Sequence, residues 1–113
     1  MNTHAISFGL ALVLGTLASA SALAQGAAPV GNPNAAHDNI AMCVGCHGIA
    51  DYKASFPMVY RVPKLGGQNA QYIVTALTEY QKGERKHPTM DGVAASLSPQ
   101  DMADIAAYYS QQK

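Results

Sequence analysis

Cys43-Val44-Gly45-Cys46-His47 places two thiols and an imidazole within one short stretch of the chain. C-x-x-C-H is the pattern of covalent c-type haem attachment. Two cysteines three positions apart reach the two vinyl groups on one edge of a haem and form thioethers with them. The histidine beside the second thioether is then held under the iron, where a neutral imidazole nitrogen is a good ligand. C-x-x-C alone also occurs in redox disulfides and in halves of zinc sites. A zinc site would call for further cysteines or a close histidine pair, and Cys43 and Cys46 are the only cysteines present. A thioredoxin-like site would call for a βαβ pattern, which the sequence lacks. The motif therefore predicts one covalently bound haem c on Cys43 and Cys46, with His47 as an iron ligand.

The start of the chain points the same way. Residues 6–20 (ISFGLALVLGTLASA) form an apolar run shorter than the roughly 20 residues that span a bilayer. Ala22-Leu23-Ala24 follows as an A-x-A cleavage site, so residues 1–24 read as a signal peptide and Gln25 as the first mature residue. The n-region departs from the usual pattern, because Met1–Ala5 carries no Lys or Arg. An uncleaved anchor is the competing reading. Export to the periplasm agrees with the thiols, since this kind of attachment takes place outside the bacterial cytoplasm.

Seven acidic and seven basic side chains balance. All of them follow residue 24, so the mature chain is neutral and nothing in it argues for nucleic acid. No second apolar run argues for a membrane span after cleavage. The length remaining suffices for one domain, and a core of that size is marginal without help. Residues 25–34, rich in Gly, Ala and Pro, read as a flexible lead-in to a domain over 35–113.

Within that domain the periodicity is helical. A first helix is expected from an Asn34 N-cap to about Val44, with Ala36, Ile40, Cys43 and Val44 on one face. Residues 48–67 contain Pro57, Pro63, Gly66 and Gly67 and read as loop. A second helix is expected from about Asn69 to Lys82, stopped by Gly83. Residues 84–97 read as loop around Pro88 and Gly92. Ser98-Pro99-Gln100-Asp101 is a strong helix start, with Met102, Ile105, Ala106 and Tyr109 facing the core. No strand pattern emerges. The fold class is all-α, with three main helices.

A haem with one protein ligand binds gases or peroxide, whereas one with two strong ligands moves electrons. The candidates opposite His47 are His37, Met42, Met58, His87, Met90 and Met102. Met42 adjoins the attachment cysteine, Met102 lies at core spacing, and His37 and Met58 belong to the proximal side in sequence. Met90 and His87 remain, in a segment joining the second helix to the last. Met90 is favoured, and its thioether would raise the potential relative to two imidazoles.

Together these residues resemble a class I cytochrome c of the small bacterial monohaem type. The likeness extends over nearly all of residues 35–110. Its elements are CVGCH, then Pro63-Lys64-Leu65-Gly66-Gly67-Gln68, then Met90, then Leu97-Ser98 leading into a helix that ends Ala106-Ala107-Tyr108-Tyr109. The resemblance implies a cytochrome c fold whose loops wrap around one haem and whose first and last helices cross beside it. It also implies that the Pro63 carbonyl orients His47. The stretch 49–62 is longer and more aromatic than in the shortest members, and Tyr52, Phe56 and Tyr60 would extend the pocket wall or form a docking surface. The implied function is not enzymatic: a periplasmic carrier passing single electrons between a donor and an acceptor protein, as a monomer or in transient complexes. Two other readings stand beside it, a haem subunit of a dehydrogenase or oxidase complex, and a haem peroxidase or gas-binding protein.

Overall fold

The computed structural model describes residues 27–113, and the apolar run 6–20 and the Ala22–Ala24 cleavage site lie outside them. Four α-helices and one short hairpin make up the described chain. After a 3₁₀ turn at Ala35–Asp38 come α1 (Ala41–His47), β1 (Lys53–Ala54), β2 (Tyr60–Arg61), α2 (Ala70–Lys82), α3 (Pro88–Ala95) and α4 (Pro99–Ser110). Among the described residues, no helix is long and apolar enough to cross a membrane.

The two best-marked helices form where their caps place them. Asn69 starts α2 by accepting the Tyr72 N–H at 3.1 Å. Gly83 ends it in the left-handed region, φ 75°, which a residue without Cβ adopts freely. Ser98 starts α4 with a full capping box: its hydroxyl accepts the Asp101 N–H at 3.2 Å, and the Asp101 carboxylate accepts the Ser98 N–H at 2.9 Å. Pro99 at the first helical position gives up only an amide that no intrahelical carbonyl would have used.

α4 packs against α2 and against the N-terminal 3₁₀ turn, while α3 packs against α2. The core runs through these contacts: Ile73 and Leu77 from α2, Met102, Ile105 and Ala106 from α4, and Ala36, Ile40 and Cys43 from the N-terminal side. Cys43 belongs to this core, so the packing on α4 also orients the motif helix.

Four local expectations give way. Asn34 does not cap a helix: it has helical dihedrals and no side-chain cap bond, and its N–H is taken by Asn32 Oδ1 at 3.1 Å. The first helix is instead a 3₁₀ turn followed by α1, which carries the whole motif through His47. The change of phase leaves Val44 on the outside, 41% exposed. The stretch 48–67 is not all loop, because β1 and β2 pair antiparallel with Lys53 opposite Arg61 and Ala54 opposite Tyr60. Two-residue strands are too short to print an alternating pattern. The stretch 84–97 contains α3, a fourth helix: Pro88 takes the first position, and Gly92 sits where a Cβ would touch nothing.

The lead-in is also fastened from Val30 onward. Val30 O accepts the Gln100 amide at 3.0 Å, and Asn32 N–H donates to the buried Asp104 at 2.7 Å. Between them a Cβ on Gly31 would fall 2.1 Å from Ala103 O, so only glycine allows this approach to α4.

The Ser98 hydrogen bonds hold the Asp101 carboxyl below its ordinary value of 3.8, the hydroxyl contributing most. A folded-state value that is depressed adds stability above the ordinary pKa and loses it as pH falls through the lowered one. Ser98→Ala should therefore lower the unfolding free energy near neutral pH, since it removes the cap along with the carboxylate's partner. The gap from the parent should narrow in acid below pH 3.8. Guanidinium melts at the two pH values check this, and a gap that widens in acid would refute the capping account.

Candidate functional site

Cys43 and Cys46 lie one helical turn apart on α1 and line the same cleft, with His47 closing the helix beside them. Cys43 is buried and Cys46 half-buried, and no disulfide joins them. Burial pushes the Cys43 thiol above its ordinary value. His47 Nδ1 lies 2.7 Å from Pro63 O. A carbonyl can only accept, so the ring carries its proton on Nδ1 and leaves the Nε2 lone pair free for another partner.

The cleft has a volume of about 360 Å³. Ile73 and Leu77 of α2 and Ile105 of α4 form its floor, and Leu65 and Val93 extend the apolar wall. α3 brings Met90 to it, and the connection before α3 brings His87. Arg61, Lys64 and Arg85 stand along it, and no carboxylate side chain is among its lining residues.

Of the six candidates for the position opposite His47, three line the cleft: Met42, His87 and Met90. Met42 is the neighbour of the attachment cysteine and is 46% exposed. Met58 stands 69% exposed on the hairpin, and His37 is exposed in the 3₁₀ turn. Met102 is buried in the core, its sulfur 3.7 Å from the Thr78 hydroxyl, which donates to Val74 O at 2.8 Å.

This donor set suits a haem. Two thiols a turn apart, an imidazole with a free nitrogen, an apolar wall and cations without carboxylates match a flat apolar ring that carries two acid groups. It does not suit zinc: among the described residues no group of three or more His, Cys, Asp and Glu side chains comes together.

The Cytochrome c family model matches residues 35–113. The chain belongs to the cytochrome c family. Cytochrome c-554(548) of Halomonas halodenitrificans is 41% identical over 74% of this chain and 99% of its own length. Cytochrome c4 of Pseudomonas aeruginosa is 38% identical over 100% of this chain and 50% of its own. The solved structure of reduced recombinant cytochrome c4 from Pseudomonas stutzeri matches with a TM-score of 0.54 at 27% identity, over 79% of this chain and 54% of that one. The chain thus spans nearly all of the one relative and about half the length of the c4 proteins. It is a small bacterial class I c-type cytochrome, an electron carrier with one haem c bound covalently through Cys43 and Cys46.

One contribution to this cytochrome's cleft escapes a reading of the sequence. Arg85, in the turn after α2, lies 5.7 Å from the ring centre of Tyr72 and 5.4 Å from that of Tyr80, and its Nε pairs with Glu79 at 3.2 Å. Tyr72 is the largest cause raising its pKa. Its partners lie on the preceding helix, so a lone arginine in a loop-like stretch gives no sign of them. Tyr60, expected to extend the pocket wall, does line the cleft, placed by the hairpin against His87 with ring centres 5.1 Å apart, whereas Tyr52 and Phe56 are not among the lining residues. Behind the cleft, burial pushes the Tyr109 phenol up to about 12.

Cys43→Ala and Cys46→Ala should each sharply lower the yield of protein whose haem survives acid–acetone extraction. The parent should retain one haem per chain. Complete extraction of haem from the parent would mean that these thiols do not carry it.

Proposed function

We propose that this cytochrome passes single electrons between a donor and an acceptor protein in the periplasm, with its iron held between His47 and Met90. One observation carries the reading: a single cleft unites both attachment thiols, His47 and Met90, while Met58, Met102 and His37 lie off it. The apolar run 6–20 and the Ala22-Leu23-Ala24 site support export.

When bound, the haem supplies the reversible one-electron chemistry of iron. The chain's residues set the conditions for it. Pro63 O holds the His47 ring and its tautomer, which fixes ligand direction and raises ligand basicity. The Met90 thioether, a soft donor, favours the reduced state over what a second imidazole would. Ile73, Leu77 and Ile105 keep water from the floor of the cleft, so less solvent must reorient as the charge changes. Arg61 and Lys64 are placed to balance acidic groups at its margin, although the Asp51 carboxylate already engages Arg61. With His47 and Met90 both holding the iron, a substrate would find no open site on it, and we assign the chain no turnover of its own. Its contacts with redox partners would be small and brief, as exchange requires.

Met90→Ala tests the ligand and the function together. The parent should show the weak sulfur–iron(III) band at the red edge of the visible spectrum, bind carbon monoxide poorly and have little peroxidase activity. The variant should lose the band, bind carbon monoxide when reduced and gain peroxidase activity. A band retained in the variant would move the ligand role to another residue. A parent as active toward peroxide as the variant would replace the carrier reading with an enzymatic one.

A further inference from the structure

α3 begins at an unusual residue. Helices most often start at Ser, Thr, Asn or Asp, whose short side chains accept an amide of the first turn. Here the N-cap is His87, with extended dihedrals (φ −160°, ψ 119°), and its Nδ1 accepts the N–H of Met90 at 3.4 Å. In return the His87 N–H donates to Asp91 Oδ1 at 3.1 Å. The exchange is that of a capping box, made with an imidazole and shifted by one residue.

The ring does more than cap. Its neighbour is Tyr60 of β2, in edge-to-face contact at an interplanar angle of 68°. A serine or asparagine could accept the Met90 amide but has no face to offer Tyr60. His87 therefore ties the first turn of α3 to the hairpin on the other side of the chain, and Pro88 fixes the backbone between the cap and Met90. Its Nε2 is covered and has no hydrogen-bond partner among the described residues. With Nδ1 accepting, the neutral ring carries its proton on that covered nitrogen.

We propose that His87 is a positioning residue for Met90. It holds the first turn of α3 against Tyr60 and so keeps the thioether at the cleft in both oxidation states. The inference rests on Met90 as the sixth ligand. A residue held by a cap, an edge-to-face ring contact behind it and a proline before it has little freedom to lose when its sulfur binds. Removing His87 frees that turn and shifts the balance between bound and released sulfur.

The test uses haem-loaded protein. The parent must first show the sulfur–iron(III) band, and Met90→Ala must abolish it; failure of either step rejects Met90 as ligand and the positioning role with it. Given that result, His87→Ala should raise the fraction with released sulfur about fivefold, the worth of a lost cap. It should raise carbon monoxide binding by the reduced form to match. The band should fade on warming well before the far-ultraviolet helix signal. His87→Asn, which keeps an acceptor and drops the ring, should recover part of the band. Tyr60→Leu should weaken the band in the parent but add nothing in the His87→Ala background, because Tyr60 acts through His87. The proposal is overturned if His87→Ala lowers only the global melting point and leaves the band and carbon monoxide binding unchanged. Additive effects of Tyr60→Leu and His87→Ala would also overturn it.

Discussion

The packing of α4 is the constraint on which the rest of the molecule depends. Ile105 is fully buried in the core and also forms part of the cleft floor. The same helix packs against α2, which supplies the adjoining floor residues, and against the 3₁₀ turn that leads into α1. Cys43 is buried in that core, so the rotation of the motif helix is fixed by contacts made behind it. A helix as short as α1, Ala41–His47, would not persist alone in water, where even longer helices are marginal. It is helical because the domain holds it, and the i, i+3 spacing of its thiols follows from that.

A domain of this size has few wholly buried side chains, and several of them border the cleft rather than one another. Ile73, Leu77 and Ile105 belong to the core and to the cleft at once. A haem held in this cleft would be part of the hydrophobic core as much as a ligand, adding apolar contacts that so small a chain otherwise lacks. Of the polar groups in and around this core, His87 Nε2 and the Tyr109 hydroxyl have no hydrogen-bond partner among the described residues, while others are satisfied. His47 finds Pro63 O, and Asp104 accepts from both Asn32 N–H and the Gln100 amide.

Much of this was legible in the residues, and what was not has definable causes. CVGCH states its chemistry through residue types and spacing alone. α2 and α4 carry strong caps and regular apolar faces, so their bounds could be read to within a residue. Pro63 came from resemblance, because nothing local announces which residue's carbonyl a distant histidine will meet. α3 is obscured because Pro88 and Gly92 read locally as breakers, whereas proline at a first helical position and glycine on an open face cost the helix little. Met90 was singled out, but its helical setting and its cap were hidden with the helix. The 3₁₀ turn, the hairpin and the docked lead-in depend on long-range partners that no local window contains. The contacts from Val30 and Asn32 to α4, for example, cross some 70 residues of chain.

At the far end of α3, Ser96 Oγ donates to Val93 O at 2.8 Å, and a second side chain reaches in from α2. Gln81 Nε2 donates to Ala94 O at 3.1 Å and to Leu97 O at 2.9 Å, so one amide nitrogen of α2 serves two carbonyls where α3 ends. Only a donor will do there. Glutamate has almost the same shape as glutamine and differs from it by one base in either codon, yet it would set carboxylate oxygens against both carbonyls. Among the changes one mutational step away, a near-isosteric one is therefore among the least tolerable at this position. The tolerance of this surface to drift is governed by hydrogen-bond polarity rather than by volume.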